Sequence, residues 1–198
     1  MLVAIIMAVV LSSGFYYTDC YMAKRMLAGT VFWSPAHPWD KIFPFSPRWV
    51  WIYFLYFPIC FIPIFMPQVR QDMEIFRKTA LGYLIQFSIA LAFFWIIPSY
   101  IARPEILDQG ISGLALSWFY KIDLGFNVFP SLHVANVAYI ALLSGRLINK
   151  RFSAALWSLC LLIALSTLFI KQHYLADILG GLLVGIGSYY LSFARRAK

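Results

Sequence analysis

The chain has 198 residues, of which 62% are hydrophobic, 19% aromatic and 12% charged. A soluble domain has about 45–50% apolar and about 25% charged residues, so this composition excludes a soluble globule, and its aromatic content excludes a disordered chain. The net charge of +8 arises from Lys and Arg residues scattered between apolar runs. Because they form no continuous basic face, we expect no nucleic-acid partner.

One membrane-spanning helix needs about 20 apolar residues, so a chain of this size has room for about six spans but not for a second domain. We therefore predict a single domain, residues 1–198, with an all-α fold: a polytopic membrane protein built as a six-transmembrane-helix bundle. The apolar runs place the spans, in chain order, at about 2–17, 49–66, 80–97, 131–148, 154–170 and 176–193. The first run is short and is also compatible with an interfacial helix.

The distribution of basic residues predicts how the bundle is oriented. Nine of the sixteen Lys and Arg residues follow spans two, four and six, and seven follow spans one, three and five. Since cytoplasmic loops carry the excess of positive charge, both termini are expected in the cytoplasm. The small size and short loops suit a bacterial inner membrane, so the loops after spans one, three and five would face the periplasm.

The scarce polar residues gather on this outer side. His133 lies at the start of span four, His173 lies just before span six, and Arg103 follows span three. Ser131 and Asp177 share the same face. Ionisable groups near the hydrocarbon are costly unless they are paired or functional. This convergence of distant segments predicts an active site at the outer end of the bundle.

The segment from Pro130 to His133 has the residues expected of a phosphate site. A proline opens a helix whose first amides have no intrahelical partner, and those amides, the helix dipole and the Ser131 hydroxyl together form a cradle for phosphate. His133 is placed to donate a proton to a leaving oxygen. The structural alternative is an ordinary helix start with a hydrogen-bonded histidine.

His173 and Asp177 are four residues apart, so a helix places them on one face. A carboxylate bonded to one imidazole nitrogen orients the ring and leaves the other nitrogen free as a nucleophile. A helix-capping or interfacial pair is the structural alternative. Arg103 offers a forked cation that binds phosphate oxygens in a bidentate manner, and its alternative is a charge snorkelling at a helix end.

Two histidines and an aspartate also constitute a possible zinc-ligand set. A zinc site would leave Arg103, Ser131 and the proline-opened helix without a role. We therefore favour phosphate chemistry, and we predict neither a metal nor any other cofactor.

Three segments resemble the signature segments of the type 2 phosphatidic acid phosphatase (PAP2) superfamily: Arg103-Pro104, Pro130-Ser131-Leu132-His133 and His173-Tyr174-Leu175-Ala176-Asp177. The resemblance implies a six-helix membrane enzyme with a metal-independent phosphohistidine mechanism. By position in these motifs, His173 would be the nucleophile, Asp177 its orienting partner and His133 the general acid. Arg103 and Ser131 would hold the phosphate.

The resemblance spans roughly residues 96–181 and departs from the family at two positions. Where the family usually has a lysine seven residues before the arginine, this chain has Ile96. Where it usually has an arginine six residues before the second histidine, this chain has Thr167. Lys171 and Lys121 are the candidates to replace these phosphate-binding cations.

Further similarity points to the branch that contains inositol phosphorylceramide synthase-like transferases, in Ser166-Thr167, in Lys171-Gln172-His173-Tyr174 and in Asn127-Val128-Phe129. The prediction is an integral membrane lipid-phosphate phosphatase whose partners are a lipid phosphate substrate and the membrane lipids. A phosphohistidine can also be attacked by another alcohol, so a lipid phosphotransferase is the first alternative. A non-catalytic membrane transporter or scaffold is the second.

Overall fold

A computed structural model of the chain describes residues 2–108 and 110–194. Within them the fold is all-α, as predicted, and β structure is limited to two isolated bridges, Trp33 with Ser99 and Tyr100 with Phe126. The helices are α1 (Leu2–Leu27), α2 (Val50–Phe54), α3 (Tyr56–Cys60), α4 (Ile62–Phe65), α5 (Pro67–Gln71), α6 (Met73–Ile96), α7 (Ile111–Ile122), α8 (Leu132–Leu147), α9 (Lys150–Phe169) and α10 (Leu175–Phe193).

Four segments of the described chain are long and apolar enough to cross a membrane: Pro47–Phe65, Met73–Ile96, Lys150–Phe169 and Leu175–Phe193. They match predicted spans two, three, five and six, and α8, which matches span four, is apolar but has only 16 residues. Helix α1 continues beyond the predicted end of span one, and the side chains of residues 1–12 lie outside the described part. Several helices able to span a membrane are therefore confirmed, and the number six stays a prediction.

The second span is a broken helix rather than a continuous one. It is interrupted at Leu55 and at Phe61, between α2, α3 and α4. Pro58 and Pro63 lie just after these breaks. Proline has no backbone N–H to bond to the carbonyl four residues earlier, and its ring crowds that carbonyl, so each proline interrupts the helix that precedes it.

The apolar runs alone suggest that the segment between spans three and four is a loop, but the structure shows that it also contains a helix. Twelve of its residues, Ile111–Ile122, form α7. Leu116 and Phe119 pack in a buried cluster with Tyr53, whereas Trp118 on another face is 60% exposed. A helix this short cannot cross the hydrocarbon, and its exposed tryptophan suits the membrane interface.

The core lies where α8 packs between α9 and α10. Two glycines of α10, four residues apart, allow α10 to approach α8 closely. A Cβ at Gly181 would lie 2.4 Å from the carbonyl oxygen of Ser131, and one at Gly185 would lie 2.3 Å from that of Ala135. Small residues with this spacing bring helix backbones together in membranes. Here they bring the beginnings of α8 and α10 side by side.

Replacing Gly185 by alanine is expected to destabilise the protein by about 1–3 kcal/mol, because the new methyl group meets the backbone of α8 rather than a movable side chain. Gly187→Ala is the matched control, since no atom lies within 4 Å of a Cβ at that position. Thermal unfolding in detergent measures the difference. Equal melting temperatures for the two variants would contradict the close packing of α8 and α10.

Candidate active site

Three loops meet at one end of the helices: residues 28–49, 97–131 and 170–174. The two isolated bridges join the first loop to the second and close the second upon itself. The first loop is also joined to the last residue of α9, next to the third loop, where the Ser46 N–H donates to the Phe169 carbonyl over 3.0 Å. This meeting of distant segments is the convergence that the polar residues predict, and it places the first turns of α8 and α10 at the same end.

Asp40 fastens the first loop over the start of α10. Its carboxylate accepts from the Leu175 N–H over 2.8 Å and from the His37 N–H over 2.6 Å. Beside it, the Lys171 ammonium donates to the carbonyl of Phe43 over 2.5 Å. Burial lowers the pKa of Lys171 from its ordinary value, and the Asp40 carboxylate acts in the opposite direction. Sequence analysis missed Asp40, because Leu175, its partner in α10, lies 135 residues away.

The two predicted catalytic histidines lie in direct contact. His133 Nδ1 is 3.0 Å from His173 Nε2. His133 is the second residue of α8, and the Ser131 N–H donates to the Asp177 carbonyl over 3.0 Å, so the first turn of α10 is tied to the start of α8. His173 precedes α10 and is only 5% exposed. The imidazoles therefore face each other because two helix starts are joined.

Asp177 lies behind His173, as their spacing predicts. Its Oδ2 is 3.4 Å from His173 Nδ1 and accepts a shorter bond, 2.7 Å, from the Tyr174 N–H. The first separation is that of a close ion pair but exceeds a well-formed hydrogen bond. His173 Nδ1 makes no better bond within the described chain. Asp177 is fully buried and serves both the histidine and the cap of α10.

Tyr53 holds the opposite side of His133. Its hydroxyl lies 2.7 Å from His133 Nε2, and Tyr53 is fully buried. The ring of Tyr56 also packs on His133, with centroids 4.5 Å apart, but its hydroxyl accepts instead from the Asn136 amide over 2.8 Å. One assignment of protons satisfies this network: Tyr53 donates to His133 Nε2, and His133 Nδ1–H donates to His173. Sequence analysis missed Tyr53, which lies within an apolar run.

Arg103 is engaged by an acidic partner that the sequence analysis also missed. Its guanidinium donates to the Asp123 carboxylate over 2.5 Å, to the Asp123 backbone carbonyl, and to the Gln172 side-chain oxygen over 2.7 Å. It also lies over the ring of Tyr120, 4.2 Å from the centroid. The guanidinium is therefore held at the edge of the site by several groups. Sequence analysis includes Gln172 only as part of the run Lys171-Gln172-His173-Tyr174 and assigns it no role.

The other predicted phosphate ligands have different surroundings. Ser131 is buried, and its hydroxyl accepts from the Val134 N–H over 3.4 Å, which caps α8. Lys121 is exposed in the last turn of α7. Neither residue lines the pocket described below, and neither does Lys171. Of the residues that the sequence singles out, the structure brings together the two histidines and Asp177. The backbone of Ser131 bonds to that of Asp177, and Arg103 is linked to the site through Gln172.

The two positions where the chain departs from the family motifs hold no compensating polar group. Ile96 is 77% exposed at the end of α6. Thr167 is buried in α9, and its hydroxyl donates to the Ala164 carbonyl over 2.7 Å. The bonds that two cations would supply in the family have to come from other side chains if phosphate binds here.

A pocket opens beside the two histidines. Both polar and apolar side chains line it. The polar lining residues are His133, His173, Asp123, Asn127 and Gln172, and the apolar ones are Phe15, Phe126, Val128 and Leu132. Within the described residues, no group of three or more His, Cys, Asp or Glu side chains has an arrangement suited to a metal ion.

Comparison with known proteins agrees with this architecture. A lipid A 4′-phosphatase of Porphyromonas gingivalis is 24% identical over 148 residues, which cover 71% of this chain and 58% of that protein. The chain thus spans little more than half the length of this relative. The crystal structure of Aquifex aeolicus LpxE has a similar fold, with a TM-score of 0.53 and 19% identity, covering 81% of this chain and 89% of that one.

The family itself is identified over a larger part of the sequence. The PAP2 superfamily matches residues 59–198, which is well over half of the chain and includes all three motif segments. The resemblance that those segments suggest is therefore confirmed, together with an all-α fold that has several helices able to span a membrane. The chain belongs to the PAP2 superfamily.

Proposed function

We propose that the protein is an integral membrane phosphatase that hydrolyses a phosphomonoester or pyrophosphate of a lipid through a phosphohistidine intermediate. The observation that carries the proposal is the 3.0 Å contact between His133 Nδ1 and His173 Nε2, with Asp177 behind His173 and a pocket beside both rings. Family membership and the name of the lipid A phosphatase relative support the same reaction class.

The nucleophile is His173 Nε2. The Asp177 carboxylate favours the tautomer in which Nδ1 carries the proton, so that Nε2 keeps its lone pair. At rest that lone pair accepts from His133. A substrate oxygen that accepts from His133 Nδ1–H replaces this bond. His173 Nε2 is then free to attack, and the His133 proton is available to the leaving oxygen.

The reaction proceeds in two steps. When the anionic phosphate is bound, His133 carries a proton on both ring nitrogens, and the Tyr53 hydroxyl accepts from Nε2–H. His173 Nε2 forms a bond to phosphorus as the bond from phosphorus to the lipid oxygen breaks, and the His133 imidazolium gives its Nδ1 proton to that leaving oxygen and becomes a neutral imidazole. Water then attacks phosphorus, the bond to His173 breaks, and His133 takes up a proton of the water. Phosphate leaves and both histidines regain their starting forms.

Charge that develops on the phosphoryl oxygens has to be met by donors around the pocket. Arg103 is the candidate cation, although it reaches the pocket only through its partners Asp123 and Gln172, and the start of α8 contributes the positive end of a helix dipole. Ser131, Lys171 and Lys121 remain proposed ligands, although Ser131 and Lys171 make other bonds in the structure. Ser131 contributes at least indirectly, because it caps the helix that carries His133.

The substrate is proposed to be a lipid phosphate presented from the outer surface of a bacterial inner membrane. The apolar lining contributed by Phe15, Val128 and Leu132 suits the part of the lipid next to its phosphate. The distribution of basic residues is the reason for proposing that this end of the helices faces the periplasm. Lipid A phosphates are the first substrates to assay, because a relative is named for hydrolysing one.

Release of inorganic phosphate from a panel of lipid phosphates, by purified protein in detergent without a second lipid, tests the proposed reaction. His173→Ala is expected to lower turnover by at least about 10³-fold, since it removes the attacking atom. His37→Ala is the matched control, because His37 is exposed in the first loop. Equal turnover in His173→Ala and the parent would contradict the mechanism. Product formation that requires an added acceptor lipid would indicate a transferase.

Incubation with a metal chelator is expected to leave phosphate release unchanged, because every step assigned above is performed by side chains. Measuring the rate before and after dialysis against the chelator checks this expectation. A loss of activity that zinc restores would favour the alternative in which the two histidines and Asp177 bind a metal.

Tyr53→Phe is expected to reduce kcat by about 10-fold and to alter the pH dependence of kcat, because the hydroxyl that orients His133 is lost while the ring is kept. Tyr56→Phe is the control: the same atom is removed from a ring that also packs on His133, but that hydroxyl bonds to Asn136. Comparison of the two kcat profiles across pH measures the effect. Identical profiles would contradict a specific role of Tyr53.

A further inference from the structure

Two primary amides of the pocket have polar atoms without partners. Asn127 is 3% exposed, and neither its Nδ2 nor its Oδ1 has a hydrogen-bond partner among the residues that the structure describes. Gln172 is 2% exposed, and its Nε2 likewise has no partner there. Buried amides are nearly always hydrogen-bonded, because burial without a partner is unfavourable. Both side chains line the pocket beside the histidines.

The backbone fixes the position of Asn127. Its φ of 55° is in the left-handed region, which asparagine tolerates better than most residues. Its N–H donates to the Ser99 carbonyl over 3.1 Å, and the next two N–H groups, of Val128 and Phe129, donate to the Ser99 hydroxyl. The backbone is therefore held at Asn127 and at the two residues that follow it, and the side-chain amide has no partner among the described residues.

The orientation of Gln172 is fixed by Arg103. The side-chain oxygen of Gln172 accepts from the guanidinium over 2.7 Å, so the amide nitrogen must be directed away from that cation. The Gln172 backbone N–H donates to the Thr167 carbonyl over 2.8 Å, which holds the residue at the end of α9. The side-chain amides of Asn127 and Gln172 therefore provide N–H donors in the wall of the pocket that His173 also lines.

Charge in the pocket is low for a site that would bind phosphate. Arg103 is paired with Asp123, and their side chains are only 10% and 13% exposed. The two positions that usually hold cations in the family are Ile96 and Thr167. Phosphate oxygens are nevertheless bound well by neutral N–H donors when these are preorganised and shielded from water.

We infer that Asn127 and Gln172 form an amide pair that binds the phosphoryl oxygens of the substrate and takes the place of the missing cations. This inference rests on the proposed function. The Nδ2 and Nε2 groups donate to phosphoryl oxygens, and Asn127 Oδ1 accepts from a protonated oxygen of a phosphate monoanion. The same donors receive inorganic phosphate after hydrolysis.

Asn127→Asp and Gln172→Glu test the pair, because each change keeps the shape of the side chain and exchanges an N–H donor for a carboxylate oxygen. Each is expected to raise the inhibition constant of inorganic phosphate and to lower kcat/KM for the lipid phosphate by roughly 10- to 100-fold. Gln68→Glu is the control, since Gln68 donates to the Leu147 carbonyl at the far end of α8.

Asn127→Gly provides a variant without added charge, and glycine adopts the positive φ without strain. The inhibition constant of inorganic phosphate is expected to rise about 10-fold in this variant, while its melting temperature stays that of the parent. Inhibition constants and kcat/KM that stay within twofold of the parent in folded Asn127→Gly and Gln172→Glu proteins would overturn the inference.

Calorimetric titration of the His173→Ala protein with inorganic phosphate separates this inference from the proposed reaction. Phosphate binding that weakens when Asn127→Gly is added supports the amide pair, even if the parent hydrolyses no lipid phosphate. Equal binding with and without Asn127→Gly, or no binding at millimolar phosphate, would overturn the pair. Retention of turnover in His173→Ala would instead overturn the phosphohistidine mechanism.

Discussion

The close packing of α10 on α8 is the constraint on which the site depends. Gly181 and Gly185 remove the side chains that would hold the two backbones apart, and the bond from the Ser131 N–H to the Asp177 carbonyl then joins the two helix starts. His133 and His173 come into contact as a consequence, because each lies next to one of those starts. A wider separation of the helices would leave two unrelated histidines at the end of a bundle.

The polar groups at this end support one another through hydrogen bonds. Arg103 is held by Asp123 and Gln172, and His133 lies between Tyr53 and His173. Each bond reduces the cost of burying a polar or charged group next to hydrocarbon. Asn127 and Gln172, whose side-chain amides have polar atoms without partners among the described residues, line the pocket.

The proposed chemistry separates the tasks of the pocket among different kinds of side chain. The two histidines and Asp177 provide proton and phosphoryl transfer, whereas Arg103 is partly neutralised by Asp123. Binding of the phosphoryl group is then assigned to neutral amides to a greater extent than in a site rich in lysine and arginine. Such a pocket would select among anions by where its donors lie, because neutral donors, unlike cations, do not attract every anion from a distance.

Sequence alone determined the all-α class, the family and the residues that carry its motifs, because apolar runs and fixed spacings are local properties of a chain. His173 and Asp177 lie on one side of a helix start for that reason. The apolar runs of the sequence also located α8, α9 and α10 to within a few residues. Proline breaks in the second span and the short helix α7 were missed, since an apolar run does not reveal how its helix is interrupted or whether it crosses the membrane.

Only the tertiary structure decided which residues complete the site. Tyr53 lies 80 positions from His133, and Asp123 lies 20 from Arg103, so no spacing connects either pair in the sequence. Their contacts follow from how helices and loops pack, which is a property of the whole chain. The bond from Lys171 to the Phe43 carbonyl and the position of Asn127 in the pocket lining also depend on tertiary packing, so the sequence alone did not reveal them.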